Sequence, residues 1–441
     1  MDFLIDLLRG VLGLVVILGI AFLFSSNRRQ VNWRTIGAGL GLQFALAVFI
    51  LKGAAMGEFF APLGWPKAFF SWISGFFVDV LDFTTAGAQF IFGDLALSPG
   101  MDGSLGNFFA FQVLPTIIFF GSLMAILYHM GVMQRVVQGI AWVVKRFLGT
   151  SGAESLSVTA NIFVGQTEAP LVVRPYLEKM TYSELMAVMT GGMATIAGGV
   201  MVAYIQFLGD AFAQAQGLPL DVARLQFAEH LLGASLMAAP AALVLAKILI
   251  PEIGEPETGG TVQVPVEKTS KNLIDAAANG AGDGLKLALN VGAMLLAFLA
   301  LIAMANAILG WGGGLFGLDL TFEKLLGWAL APLAWLIGVP WADAVNFGSL
   351  IGIKVVANEF VAYQQLATAI GAEALSPKTV IMGTFALCGF ANFSSIAIQI
   401  GGIGPLAPSR KSELAQLGMK AVLAGTLANM MTATIAGVLA I

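Results

Sequence analysis

Cysteine and histidine are nearly absent. One thiol, Cys388, excludes an intramolecular disulfide, and the two histidines, His129 and His230, are too few to form a cluster with metal-ligand spacing. Charge is scarce as well: Asp, Glu, Lys and Arg make up 11% of the residues and the formal net charge is -4. No basic run is present to bind nucleic acid, and there is too little polar surface to coat a soluble globule. A His-Glu-x-x-His zinc signature is also missing, and neither histidine sits in a recognisable acid or nucleophile motif. What is abundant is apolar: 58% of the 441 residues are hydrophobic and the mean hydropathy is +0.86. Such a chain has the lipid bilayer as its solvent.

Crossing the hydrocarbon core takes about 20 helical residues, and the apolar runs predict eight spans. The first covers Val11 to Phe24 and draws in Leu4, Ile5, Leu7 and Leu8, with Arg9 facing protein or headgroups. It is followed by the basic stop Ser25-Ser26-Asn27-Arg28-Arg29 rather than a small-residue cleavage site, so it reads as an uncleaved anchor. The others are Ile36 to Leu51, Val113 to Met133, Leu185 to Leu208, Leu231 to Ile250, Leu287 to Leu309, Thr379 to Ile400 and Met419 to Ile441. Arg28, Arg29 and Arg34, then Arg135, Lys145, Arg146, Arg174 and Lys179, then Arg410 and Lys411 all fall on one side under this count. The positive-inside rule makes that side cytoplasmic and both termini extracytoplasmic, as expected in a cell inner membrane.

Between the spans, Gln134 to Leu148 carries Val136, Val137, Ile140, Ala141, Val144, Phe147 and Leu148 on one helical stripe, fit to lie in the interface or to pack on protein. Glu252 to Asn272 turns polar and reads as a flexible cytoplasmic linker. Two further segments, Ala153 to Tyr176 and Val345 to Ile370, are semi-apolar and interrupted by polar residues near their centres, as re-entrant hairpins are. Each precedes two spans, so residues 113–250 and 287–441 repeat one order of elements with opposite starting sides. The predicted fold is an all-α polytopic membrane protein of eight transmembrane helices, two opposed re-entrant hairpins and interfacial helices, built as an inverted repeat.

The hairpins also hold the chemistry. Asn161-Ile162-Phe163-Val164-Gly165-Gln166-Thr167-Glu168-Ala169-Pro170 puts an amide, a hydroxyl and a carboxylate at one tip. Gly165 allows a sharp reversal, and Pro170 in the first turn of a following helix sacrifices no hydrogen bond. A carboxylate at such depth needs a ligand, a cation or a proton, or else a structural partner such as Arg174 or a helix cap. Asn358-Glu359-Phe360-Val361-Ala362-Tyr363 repeats the amide and carboxylate in the second hairpin, where Lys354 is a candidate structural partner. In the seventh span, Cys388-Gly389-Phe390-Ala391-Asn392-Phe393-Ser394-Ser395 predicts an unwound turn, Cys388 itself being a small packing residue. Gly191 to Gly199 in the fourth span either breaks similarly or marks close helix packing.

Together, Gly165-Gln166-Thr167-Glu168-Ala169-Pro170-Leu171, Asn358-Glu359-Phe360-Val361-Ala362-Tyr363 and Cys388-Gly389-Phe390-Ala391-Asn392 resemble signatures of the concentrative nucleoside transporters, in the short bacterial form. The resemblance covers essentially the whole chain. It implies a homotrimer with elevator-type alternating access: scaffold spans in residues 1–133, the first half of a moving transport domain in 134–250, a linker and the approach to span six in 251–284, scaffold span six in 285–310, and the second half of the transport domain in 311–441. It also implies that Gln166, Thr167 and Glu168 face the nucleobase of uridine, cytidine or adenosine, and that Glu359, Asn392 and Ser395 hold the ribose. Val200, Leu287 and Phe390 would form the apolar wall. For a sodium ion, the one coupling ion and no further cofactor, it points to the side chains of Asn161 and Thr195 and the carbonyls of Val164 and Ile196, with Thr195 standing where related members can carry serine.

Proton coupling stays open, because either carboxylate can take a proton instead. Two other classes compete: a membrane-embedded enzyme using the two carboxylates as acid and base, and a channel whose filter is built from the hairpins. Opposed hairpins with broken helices favour the transporter.

Overall fold

A computed structural model describes residues 2–99, 101–258 and 270–439, and among them every regular element is helical. In chain order these are α1 (Asp2–Leu23), α2 (Trp33–Leu51), α3 (Gly53–Phe59), α4 (Ala61–Phe92), α5 (Phe109–Gln112), α6 (Leu114–His129) and α7 (Val132–Leu148). Then follow α8 (Gly152–Ala160), α9 (Arg174–Leu177), α10 (Tyr182–Ala194), α11 (Gly198–Gln216), α12 (Leu220–Leu249) and α13 (Leu273–Gly314). The last are α14 (Phe322–Leu336), α15 (Trp341–Val356), α16 (Glu359–Gly371), α17 (Pro377–Leu387), α18 (Phe393–Ile403) and α19 (Lys411–Leu439).

Burial sorts the long helices into two layers. The most apolar window of α12 is 94% buried and that of α10 with α11 is 89%, whereas those of α13 and α1 are 17% and 22% buried. A helix that is apolar all round but exposed within its own chain faces lipid or another copy. All eight tryptophans point outward, from 41% exposed at Trp335 to 74% at Trp72 and Trp311. Arg9 in α1 faces protein, donating to the carbonyls of Trp335 and Val339 at 2.9 and 2.8 Å. Small residues join the outer helices closely: a side chain on Gly284 of α13 would meet the backbone of Ile117 and Ile118 in α6 at 2.8 Å. The 42 residues of α13 reach about 63 Å, roughly twice the hydrocarbon thickness.

Eight helical segments have the length and apolarity of spans, but they are not the predicted eight. α4, which was not among the predicted spans, qualifies by length and composition although it carries Lys67, Asp79 and Asp82. The predicted span Thr379 to Ile400 is instead two short helices, α17 and α18, separated by an unwound stretch at 388–392. α10 and α11 are likewise broken, at 195–197. α13 begins at Leu273, directly after the predicted linker and well before the predicted span at Leu287, and α19 begins at Lys411, earlier than predicted.

Residues 259–269 of that linker lie outside the described residues. Its first part is packed rather than flexible: Thr258 accepts from Gly152 N at 2.8 Å and, through its hydroxyl, from Ala153 N at 3.1 Å, satisfying amides at the start of α8. α7 buries Met133, Val137, Ala141, Val144 and Leu148, but Val136, Trp142 and Phe147 stay exposed, so the stripe is wider than its protein contact. The order of short helix, break, second helix, broken helix and long helix occurs in residues 152–249 and again in 341–439. α14 and α15 meet at 119°.

Candidate functional site

Four interruptions of helix converge on one cavity: the turn at 161–168, the breaks at 195–197 and 388–392, and the α15–α16 junction at 357–358. Broken helices leave backbone amides and carbonyls without intrahelical partners, and side-chain caps answer only some of them. Asn358 caps α16, accepting from Val361 N at 2.9 Å, and Asn392 caps α18, accepting from Ser395 N at 2.9 Å. The oxygen of Asn392 is thereby committed to its own helix, which turns its NH2 group outward, where it donates to Glu359 Oε2 at 3.0 Å.

Glu359 is the first residue of α16, where the helix dipole favours a negative charge. It is 4% exposed and accepts from Tyr204 OH at 3.2 Å as well as from Asn392. Lys354 is not its structural partner: its ammonium donates to Asn429 Oδ1 at 2.6 Å and to Ala386 O at 2.9 Å instead. The Tyr204 ring stacks on Tyr363 with centroids 4.2 Å apart, and Tyr363 donates to Thr384 O at 2.8 Å, so Glu359 is backed by a rigid aromatic pair.

Across the cavity, Gln166 donates to Ser395 Oγ at 3.0 Å and accepts from Gln399 Nε2 at 3.1 Å, which joins the first turn to α18. Glu168 is exposed rather than buried. Its carboxylate faces the cavity and accepts from the Thr167 hydroxyl at 3.0 Å, and exposure relieves the burial penalty that the sequence implied. Gly165 sits in the turn at 161–168 without a left-handed backbone, and a Cβ there would approach only the Glu168 carboxylate, the end of a flexible side chain.

The cavity is about 370 Å³ and is lined by all nine residues singled out for substrate: Gln166, Thr167, Glu168, Val200, Leu287, Glu359, Phe390, Asn392 and Ser395. Phe120, Ile117 and Val291 add apolar wall, so a few polar groups sit within a hydrophobic enclosure sized for a small molecule. Sequence reading missed Tyr204 and Gln399. Gln399 was legible one turn beyond Ser395, whereas Tyr204 carries no motif.

Of the four residues expected at sodium, Asn161, Thr195 and Ile196 are buried and Val164 is half-buried. Gly198 N donates to Phe163 O at 3.0 Å, which seats the first turn against the α10–α11 break. Asn161 donates to Ser157 O at 3.0 Å, yet its Oδ1 is buried with no hydrogen-bond donor. An acceptor left so is costly in the absence of a cation or water. Thr195 donates to Gly191 O at 2.8 Å, which leaves its oxygen lone pairs available. This oxygen-only set suits a hard monovalent ion.

Lipid-facing outer helices around a buried layer, with broken helices meeting at a small-molecule cavity, define a secondary transporter. Comparison with known families and structures gives the particular kind. Residues 12–95 match the Na+ dependent nucleoside transporter N-terminus, 110–211 match the nucleoside recognition "gate", and 230–437 match the Na+ dependent nucleoside transporter C-terminus. The chain is 47% identical to the uncharacterized transporter YutK of Bacillus subtilis (strain 168), over 98% of this chain and 99% of that one. It is 43% identical to the nucleoside permease NupC of Helicobacter pylori, over 98% and 97%. A solved structure of CNTnw in an inward-facing substrate-bound state superposes with a TM-score of 0.85 at 45% identity, covering 98% of both chains. The chain therefore belongs to the Na+ dependent nucleoside transporter family, and it is a membrane transporter rather than an enzyme.

Proposed function

We propose that this chain is a sodium-driven nucleoside symporter of the cell inner membrane. The observation that carries the reading is Glu359: a carboxylate on a helix N-terminus, held by the Tyr204 hydroxyl on one oxygen and the Asn392 amide on the other, at the wall of an apolar cavity. A ribose offers vicinal hydroxyl donors, and hydrogen bonds to an ionised acceptor are the strong ones. Asn392 and Ser395 stand beside it for the remaining sugar oxygens. Gln166, Thr167 and Glu168 take the edge of a uridine, cytidine or adenosine base, whose faces pack on Phe390, Val200 and Leu287.

Sodium binds at Asn161, Thr195 and the carbonyls of Val164 and Ile196, where it answers the orphaned Asn161 oxygen and locks the first turn to the α10–α11 break. The family's sodium dependence supports this. The two helix–break–helix segments act as opposed re-entrant hairpins. The buried layer slides as an elevator past scaffold helices that form the centre of a homotrimer. Both termini lie outside: the basic clusters at 28–34, 135–146 and 410–411 share the cytoplasmic side when α4 lies along the membrane rather than across it.

The test is uptake of labelled uridine into proteoliposomes with the sodium gradient and the pH gradient imposed independently. Accumulation driven by sodium alone is expected; accumulation that follows only the pH gradient would reassign the coupling ion to a proton. Uptake that never exceeds electrochemical equilibrium would make the protein a passive pore.

A further inference from the structure

Lys354 is fully buried, stands in the last turn of α15 and has no carboxylate partner among the described ion pairs. A buried ammonium without a counter-ion is unfavourable unless oriented dipoles replace its water. Two do. Ala386 O, at 2.9 Å, belongs to the last turn of α17, the end where the helix dipole is negative. Asn429 Oδ1, at 2.6 Å, comes from α19.

The orientation of that amide is forced. Its NH2 donates to Ala194 O and to Cys388 O, both at 2.7 Å, and two carbonyls accept only from the nitrogen side, so the oxygen faces Lys354. Ala194 is the last residue of α10 and Cys388 follows the last residue of α17. A lysine and an asparagine thus tie together the ends of both broken helices. The breaks themselves touch: a Cβ on Gly389 would lie 2.7 Å from Met193 O and 2.8 Å from Ala194 C.

From this geometry we infer that Lys354 is a positioning residue for the solute, a tethered cation at the open end of α17 that, through Asn429, fixes the separation of the two breaks. Phe390 and Asn392 lie within one break, and Val200 follows the other, so the tie sets the distance between the cavity wall on one side and the group that orients Glu359 on the other. Removing the ammonium lets the end of α17 and Asn429 move apart, and the Asn392 to Glu359 hydrogen bond is lost from its binding geometry. The inference rests on the nucleoside reading of the cavity.

Lys354→Met keeps the length and apolar stem of the side chain and removes its charge and donors. Asn429→Leu leaves the lysine in place and removes the bridge. Uridine binding by calorimetry and uridine uptake are measured for the wild type, each variant and the double variant in lipid nanodiscs and proteoliposomes. Each single variant is expected to weaken binding by roughly tenfold or more and to raise KM while maximal uptake stays within about twofold. The double variant is expected to be no worse than either single one, because all three remove the same tie.

Wild-type affinity in Lys354→Met would overturn the inference, as would fully additive losses, or a loss of maximal rate with KM unchanged. Should Lys354→Met not fold, Asn429→Leu alone decides by the same KM criterion. A wild-type protein that binds no uridine would sink the nucleoside reading instead, which separates the two failures.

Discussion

At the scale of single residues, the acidic pair that stood out in the sequence separates into two different groups. Glu359 is enclosed and held by two donors, whereas Glu168 faces the open cavity. Glu359→Gln keeps the shape but exchanges an ionised acceptor for a neutral amide. At about 1.5–3 kcal/mol for hydrogen bonds to a charged group, uridine binding should weaken by roughly ten- to a hundredfold, read by calorimetry on the purified protein. Asn161→Leu removes the orphaned oxygen. Because the substitution gives up one hydrogen bond, to Ser157 O, but also removes an unsatisfied buried oxygen, sodium-free thermal stability should change little, while the sodium-induced increase in melting temperature disappears. An unchanged sodium effect would move the ion elsewhere.

At the scale of elements, helix breaks were legible where polar residues collected. Asn392 with Ser394 and Ser395 announced the gap in the seventh predicted span, whereas Gly191 to Gly199 left a break and close helix packing both open, and α10 and α11 prove to be broken there. What could not be read was where each broken end finds its partner, since Ala194, Cys388 and Lys354 come together through Asn429, a residue with no local signature inside an otherwise ordinary apolar helix. The hydropathy reading gave no place to α4, a helix long and apolar enough to span although it carries Lys67, Asp79 and Asp82. Gly389→Ala tests the contact between the breaks. Its new methyl meets the Asn429 side-chain oxygen as well as backbone atoms of Met193 and Ala194 that cannot rotate away, so a loss of about 1–3 kcal/mol is expected in thermal or denaturant unfolding, with weaker uridine binding alongside. Alanine at Gly312, where nothing lies within 4 Å, is the neutral control.

At the scale of the whole molecule, the outer and buried layers are joined by Asp6 of α1 with Lys378 of α17 at 2.7 Å and by a second partly buried ion pair, Lys67 of α4 with Glu229 of α12 at 2.5 Å, to which Ser71 also donates. If the layers slide past one another, this pair is made in one position and parted in another. Lys67→Met is then expected to change the uptake rate by a few fold while leaving the uridine KM within about twofold, the size expected when an ion pair worth roughly 1 kcal/mol biases a conformational equilibrium. A KM change without a rate change would count against the sliding. The placement of the tryptophans has a practical outcome of another kind. Since all eight indoles look outward and none lines the cavity, the native emission of this protein is expected to report on the surroundings of its outer surface and not on direct contact with the solute. Quenching by brominated acyl chains will map the membrane belt on unmodified protein, and an optical titration with uridine will need an indole placed at the cavity wall.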